Sequence, residues 1–452
     1  MSFCITLNYS NRAKIHATRE RIFRRSIKKE GISVYSRRLF RSHLCSGHRK
    51  EMISLETQQF KLNRFLLLII GLWPLQQSNL TRFQFIFLSS VLMMSIIFQF
   101  TTFVTSRCTP DFVIKILSSI CFFSIFAIKC NLFYLNIKAV KNLLMKLQNV
   151  CNELKDKNEI AIMKKYSCNA KRYTTALTIL GVCSVSVSIV AIFWSNICFI
   201  ILSINVTQLR HLPITVEYFI DQEKHFYLIL IHISVAVSIG ITTMVAIGAM
   251  LIAYFQHTCG MFKISSHRIK RAIPINILEN IESKKLNLIL KGIISAVNIH
   301  RQAMKLSELM ASKIEKMLFS LIIVGVVSLS FNLFRIFQIA SYGDDVKGIL
   351  FPLIFVTFCI LYMFIANYVA QDLTDHNNDF FATVYDVQWH EAPLHIQKLI
   401  LFLLQKGTKE FTVSIGGLFV GSLKCFVTVN IINILSIYTY TRQHITNKCY
   451  SL

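Results

Sequence analysis

The feature that most constrains this chain is a set of apolar blocks, each of about 20 residues or more, separated by charged segments. A helix rising about 1.5 Å per residue crosses about 30 Å of hydrocarbon in that length. Water is absent there, so a spanning backbone must bond to itself as a helix or a closed barrel. No block shows the strict alternation of a barrel strand, which leaves helices. Charged residues are only 16% of the 452, against about 25% in an ordinary soluble domain. The chain reads as an all-α integral membrane protein embedded in a lipid bilayer.

Seven crossings follow: Phe83 to Val104, Phe112 to Leu135, about Thr174 to Ile204, about Phe226 to Gln256, Met317 to Ala340, Gly348 to Ala370 and Thr412 to Tyr440. The third and fourth are longer than a bilayer requires and should tilt or project beyond it. An odd number of crossings puts the termini on opposite sides. Of the 49 Lys and Arg, 38 lie in the region up to and including Arg82 or in the segments at about 137–173, 257–314 and 371–411, and 6 lie in the alternate segments and the tail. Positive charge stays cytoplasmic, so the N-terminus is placed inside and the C-terminus outside. The formal charge of +26 therefore reports orientation, and no nucleic acid partner is implied.

This orientation divides the chain. Residues 1–51 form a basic, disordered N-terminal extension with no cleavable signal peptide, and Met52, immediately after it, is an alternative start. Residues 52–82 are an interfacial segment with Trp73 at headgroup depth, 83–443 the seven-helix domain and 444–452 an extracellular tail. Two cytoplasmic segments are amphipathic. Ile281, Leu286, Leu288, Ile289, Ile293, Ile294 and Val297 recur at helical spacing before the fifth crossing, and Ile396 to Leu404 does the same before the seventh. These predict helices reaching into the cytoplasm, buried against each other or a neighbouring subunit.

Enzyme chemistry finds no support: GxSxG, HExxH, Walker and strand-to-helix GxGxxG patterns are all missing. Thirteen Cys lie scattered without CxxC or Cys/His ligand spacing, and read as small buried hydrophobes. No metal and no cofactor are expected. Asn205-Val206-Thr207 falls in an outer loop and is the glycosylation candidate.

Four stretches carry a resemblance: LNRFLLLIIGLWP at the start, NIHRQAMKLSELM before the fifth crossing, YDVQWHEAPLHIQKLILFLLQKGTKEF before the seventh, and GLFVGSLKCF at its beginning. The last fits Phe-x-x-Ser-Leu-x-x-Phe at Phe419, Ser422, Leu423 and Phe426. In this order and topology the chain resembles the insect odorant receptors, a family of ligand-gated cation channels, from about Met52 to Thr441. Where family members commonly carry a Ser-Tyr pair in the last helix, this chain has Leu435-Ser436. The resemblance implies a volatile odorant ligand, a shared co-receptor subunit in a hetero-tetramer, and the plasma membrane of a sensory neuron. A gustatory receptor of the same superfamily would carry Thr-Tyr-x-x-x-x-x-Gln-Phe in its last helix, and a G-protein-coupled receptor Asp-Arg-Tyr and Asn-Pro-x-x-Tyr; none of these is here. A transporter would show internal repeats.

The last crossing is too polar for a plain anchor, with Lys424, Asn430, Asn433, Ser436 and Thr439. Four copies around an axis would form a polar conduit with apolar rings between, and Ser436, Thr439 and Gln443 are the pore candidates. The competing reading makes these residues hydrogen bonds between helices. An apolar ligand pocket is expected where outer helix halves meet, lined by Phe122, Phe123, Phe193, Trp194, Tyr227, His232, Phe334, Phe337 and Phe355. For each aromatic taken singly, packing or lipid contact is the competing role, and for His232 it is that of a satisfied core histidine.

Overall fold

The computed structural model describes residues 60–106, 109–202, 214–273, 283–342, 346–409, 411–417 and 419–450. Residues 1–51 and Asn205 lie outside them. The elements are α1 (Lys61–Ile69), α2 (Asn79–Phe100, with one more turn at Thr102–Thr105), α3 (Pro110–Leu135), α4 (Ile137–Glu153), α5 (Lys157–Leu202), α6 (Phe226–Ala272), α7 (Ser283–Tyr342), α8 (Leu350–Asp386) and α9 (Leu394–Gly407). A hairpin of β1 (Ser414–Ile415) and β2 (Phe419–Val420) then leads into α10 (Leu423–Tyr450). Among these, α2, α3, α5, α6, α7 and α8 are long and apolar enough to cross a membrane, and α10 carries a shorter apolar stretch, Leu423–Leu435. We call upper the end holding Pro110, Phe226 and Leu350, and lower the end holding α1, α4 and α9.

Local chemistry sets the helix starts. Ser78 and Thr81 form a reciprocal capping box at α2. Thr109 caps α3 ahead of Pro110, whose missing N–H is harmless in a first turn. The organising helix is α6. In its most apolar window 72% is buried, against 11% in α5, because α6 packs on α1, α2, α3, α4, α5, α7 and α8. Small residues permit this crowding: the Phe126 ring of α3 occupies the place where a β-carbon on Gly240 would stand. By contrast α2 exposes Phe83, Phe87, Met94 and Ile97, an apolar surface that suits lipid.

The amphipathic segments behave as their periodicity predicts. α7 runs unbroken from the lower end into the crossing, and its Ile289 and Ile293 join Ile269, Phe380, Val384, Ile396 and Ile400 in a second core. The two predicted cytoplasmic helices thus bury their apolar faces in one shared cluster. Leu288, Leu394 and Leu401 remain exposed.

Trp73 is only 7% exposed and sits in the main core. The chain turns at Gly71 (φ +70°), where a β-carbon would lie 2.6 Å from the Thr81 carbonyl oxygen, and the turn folds Leu72 and Trp73 back onto protein. The last crossing does not begin at Thr412. Gly416 and Gly417 have φ of +64° and +68°, a pair that closes an antiparallel hairpin pairing Ser414 with Val420 and Ile415 with Phe419. The helix starts at Leu423 and runs past residue 443 to Tyr450.

Candidate functional site

At the upper end the segment ahead of α6 lies across α2. The Glu217 N–H donates to the Phe98 carbonyl (2.9 Å), and the Thr101 hydroxyl to the Glu217 carbonyl (2.7 Å). Phe219 follows with φ +55°, a left-handed conformation that bulky side chains rarely adopt. Its N–H is held by the Glu217 carboxylate at 2.9 Å, and Gln222 donates to the same carboxylate at 3.1 Å. Backbone strain of this kind persists where surrounding contacts over-determine it. Here they direct Tyr218 inward.

The Tyr218 hydroxyl meets His232 Nδ1 at 2.6 Å. Its ring lies 4.1 Å from that of Phe98, and the His232 ring stands edge-on to both. Burial pushes the Tyr218 phenol above its ordinary range, so it stays protonated. On the far side of the imidazole, His232 Nε2 is buried without a hydrogen-bond partner among the described residues. The nest thus holds one orphaned polar atom. In one tautomer Nε2 donates to a ligand oxygen; in the other it accepts from a ligand hydroxyl.

Deeper in the bundle, Phe122 stacks on Phe355 at 4.0 Å and meets Phe126 and Phe358 edge-on. Phe123 joins the same cluster through Phe122 and Phe126. Among the predicted pocket residues, the structure therefore brings Phe122, Phe123 and Phe355 together as a packed aromatic layer. Phe193 is half-buried and packs on the main core. Phe334 and Phe337 are half-buried on α7. Tyr227 is 55% exposed while its neighbour Phe226 is buried. The Trp194 side chain lies outside the described residues. Polar links bind the helices around this layer: Ser119 donates to Gln99 (2.5 Å) and Ser118 to Asn332 (2.8 Å). Phe98 and Tyr218 escaped the sequence reading, because only the fold lays the loop against α2.

Beneath the aromatic layer is a cavity of about 140 Å³ bounded by α3, α6, α7, α8, the hairpin and the start of α10. Its walls are apolar apart from Lys129 and a few polar groups such as Asn367. Lys129 is 1% exposed. Its Nζ donates to the Met244 carbonyl (3.1 Å) and lies 4.5 Å from the centre of the Tyr362 ring.

On α10, Asn433 is 7% exposed and accepts from Ser330 of α7 at 2.8 Å. Asn430 donates to the Phe426 carbonyl, and its Oδ1 is buried and unpaired among the described residues. Thr439 is exposed, and its hydroxyl donates to Leu435; the side chains of Ser436 and Gln443 lie outside the described set. The helix has two faces. One bonds α7, and the other, with Val427, Ile431, Leu435 and Tyr438, is uncovered in the single chain.

The lower end is fastened by charge and stacking. Arg268 makes two 2.7 Å bonds to Glu159 and one of 2.9 Å to Ser295, a paired geometry stronger than a single ion contact. Arg271 pairs with Asp156, whose carboxyl is held below its ordinary range by the Asn158 N–H and that guanidinium. His300 bonds Asn377 at 3.0 Å and stacks on Phe380 at 4.1 Å. Among the described residues Cys259, Asp372 and His376 converge with ligand-type atoms within 4.8 Å. Those atoms are already engaged: Asp372 accepts from Gln256 (2.7 Å) and His376 Nε2 meets the Tyr166 hydroxyl (2.7 Å).

With this geometry in place, comparison with known proteins is informative. The family profile described as 7tm Odorant receptor matches residues 109–431, most of the chain. Two solved structures of the insect olfactory receptor OR5 from Machilis hrabei are similar in fold. The one in complex with eugenol has a TM-score of 0.65 at 15% identity, covering 87% of this chain and 99% of that one. The other has a TM-score of 0.67 at 13% identity, covering 86% and 99%. No curated protein matches the sequence.

Proposed function

We propose that this chain, which belongs to the odorant receptor family, is a subunit of a cation channel opened by a small volatile organic ligand. The observation that carries the reading is the family match across residues 109–431. The geometry supplies a reason for the ligand class. The His232, Tyr218 and Phe98 nest offers apolar walls and one unspent hydrogen bond, the usual make-up of a small-molecule site. The similar fold solved with eugenol, an aromatic molecule with a hydroxyl, supports this choice.

In this reading the upper end faces outside, the N-terminus is cytoplasmic, and the uncovered face of α10 meets other subunits around the ion path. Thr439 lies on that uncovered side, with Ser436 and Gln443 as further pore candidates. A shared co-receptor supplies the remaining subunits of a hetero-tetramer in the plasma membrane. A ligand opens such a channel by its differential affinity for the open and closed states. A difference of about 1–3 kcal/mol changes the equilibrium by about 5–150-fold.

Current recording in cells expressing the chain with and without a co-receptor, across an odorant panel, tests the reading. Ligand-evoked cation current that needs both subunits is the expected result. Surface-expressed protein that yields no current with any panel member and co-receptor would overturn it. A tag after Leu452 should be reached by antibody on intact cells; labelling only after permeabilisation would reverse the orientation.

A further inference from the structure

The cavity below the aromatic layer is separate from the upper nest, and its one cation needs a physical account. Lys129 is 1% exposed, has one hydrogen bond, to a neutral carbonyl, faces the Tyr362 ring at 4.5 Å, and makes no ion pair with any described carboxylate. An ammonium has three donors. Leaving a buried charge without a counter-charge is among the least favourable arrangements in a membrane helix. The residue nevertheless sits on the cavity wall, and the remaining walls are almost wholly apolar. A molecule with an anionic head and a hydrocarbon body satisfies both conditions.

The cavity volume of about 140 Å³ suits a compact single-chain molecule.

We propose that this cavity binds a medium-chain carboxylic acid, its carboxylate on Lys129 Nζ and its chain along the apolar walls towards Phe419 and Cys425. The carboxylate supplies the counter-charge that the fold omits, and accepts the ammonium donors that Met244 leaves unused. Because Phe419, Cys425 and Val429 belong to the hairpin and the root of α10, an occupant touches the helix assigned to the ion path. That consequence for gating rests on the channel reading; binding itself does not.

The test is equilibrium binding of labelled decanoate to the purified, delipidated full-length protein in detergent at neutral pH. Saturable binding is expected in the unmodified chain. Lys129→Met should weaken it at least tenfold while leaving displacement by decan-1-ol unaffected. Gly325 lines the cavity, and a β-carbon added there meets nothing within 4 Å, so Gly325→Leu adds bulk to the cavity from a position where its first carbon is accommodated. That variant should also weaken decanoate at least tenfold, and it keeps the test valid should Lys129→Met fold poorly. Equal affinity in all three proteins, or no saturable binding to the unmodified chain, overturns the proposal. Saturable binding of labelled dioleoylphosphatidate that Lys129→Met abolishes, with no saturable binding of decanoate, would assign the cavity to a bilayer lipid and overturn it as well. Because this readout involves no current, it fails or succeeds apart from channel function.

Discussion

The replacement His232→Leu offers the most direct test of the upper nest. In the unliganded protein His232 Nε2 is buried with no hydrogen-bond partner among the described residues. A buried unsatisfied polar group costs about 1–3 kcal/mol, and a ligand oxygen that bonds it recovers that amount on binding. At about 1.4 kcal/mol per tenfold, removal of the imidazole should raise the half-effective concentration of oxygenated odorants by about 5–150-fold. Hydrocarbon ligands of similar shape gain nothing from Nε2, so their values should stay within about threefold. Dose-response currents measure both classes, and surface labelling separates lost binding from lost folding. The companion Tyr218→Phe removes the 2.6 Å partner of Nδ1 and should shift oxygenated ligands in the same direction by a smaller factor. If His232→Leu moves hydrocarbons and oxygenated ligands equally, or moves neither, Nε2 does not touch the ligand and the argument fails.

Three further outcomes follow from the packing. Glu159→Gln leaves Arg268 half-paired at a largely buried position and should lower stability by about 1–2 kcal/mol; in thermal unfolding in detergent, Glu159→Leu with Arg268→Met together should do less harm than either alone. Gly416→Val forces a branched side chain into φ +64° and against the Phe319 ring, costing about 1–3 kcal/mol, whereas Gly417→Asn, with open space at that position, should be tolerated in the same assay. Ser330→Ala removes the donor to Asn433 that ties α10 to α7, and should change current in the absence of ligand while leaving surface expression intact; unchanged basal current would separate that bond from gating.

Much of the fold was legible because a bilayer imposes a simple length rule. Helix existence, the long projections of α5, α6 and α7, and the amphipathic lower segments were all visible in hydropathy and spacing. Orientation within the bundle was not. A spanning helix is apolar on every side, so periodicity does not say which face meets protein, and Phe122 on the core side reads like Phe87 on the exposed side. The same limit hid the environment of Lys129. Charge count fixed its rarity, while the closure of α6, α8 and Tyr362 around it depends on packing between distant segments. Tyr218 and His232 lie fourteen residues apart, yet meet only because a strained turn at Phe219 folds the loop inward.

The last helix shows how the two readings of its polar residues can both hold. Asn433 bonds Ser330 across to α7, as expected of a polar group stabilising a helix contact, so it is not free to line an ion path in this conformation. Thr439 lies on the uncovered side, and its hydroxyl donates to its own helix. One face of α10 is therefore fixed by hydrogen bonds and the other awaits neighbours. A helix tied on one side and apolar on the other can rotate or shift only by exchanging the Ser330 to Asn433 bond, and such an exchange is a discrete step of the kind a two-state gate requires. The bond that looked like an argument against a pore helix thus becomes a candidate latch for it, and the helices that carry His232 and Lys129, α6 and α3, both pack against its partner α7.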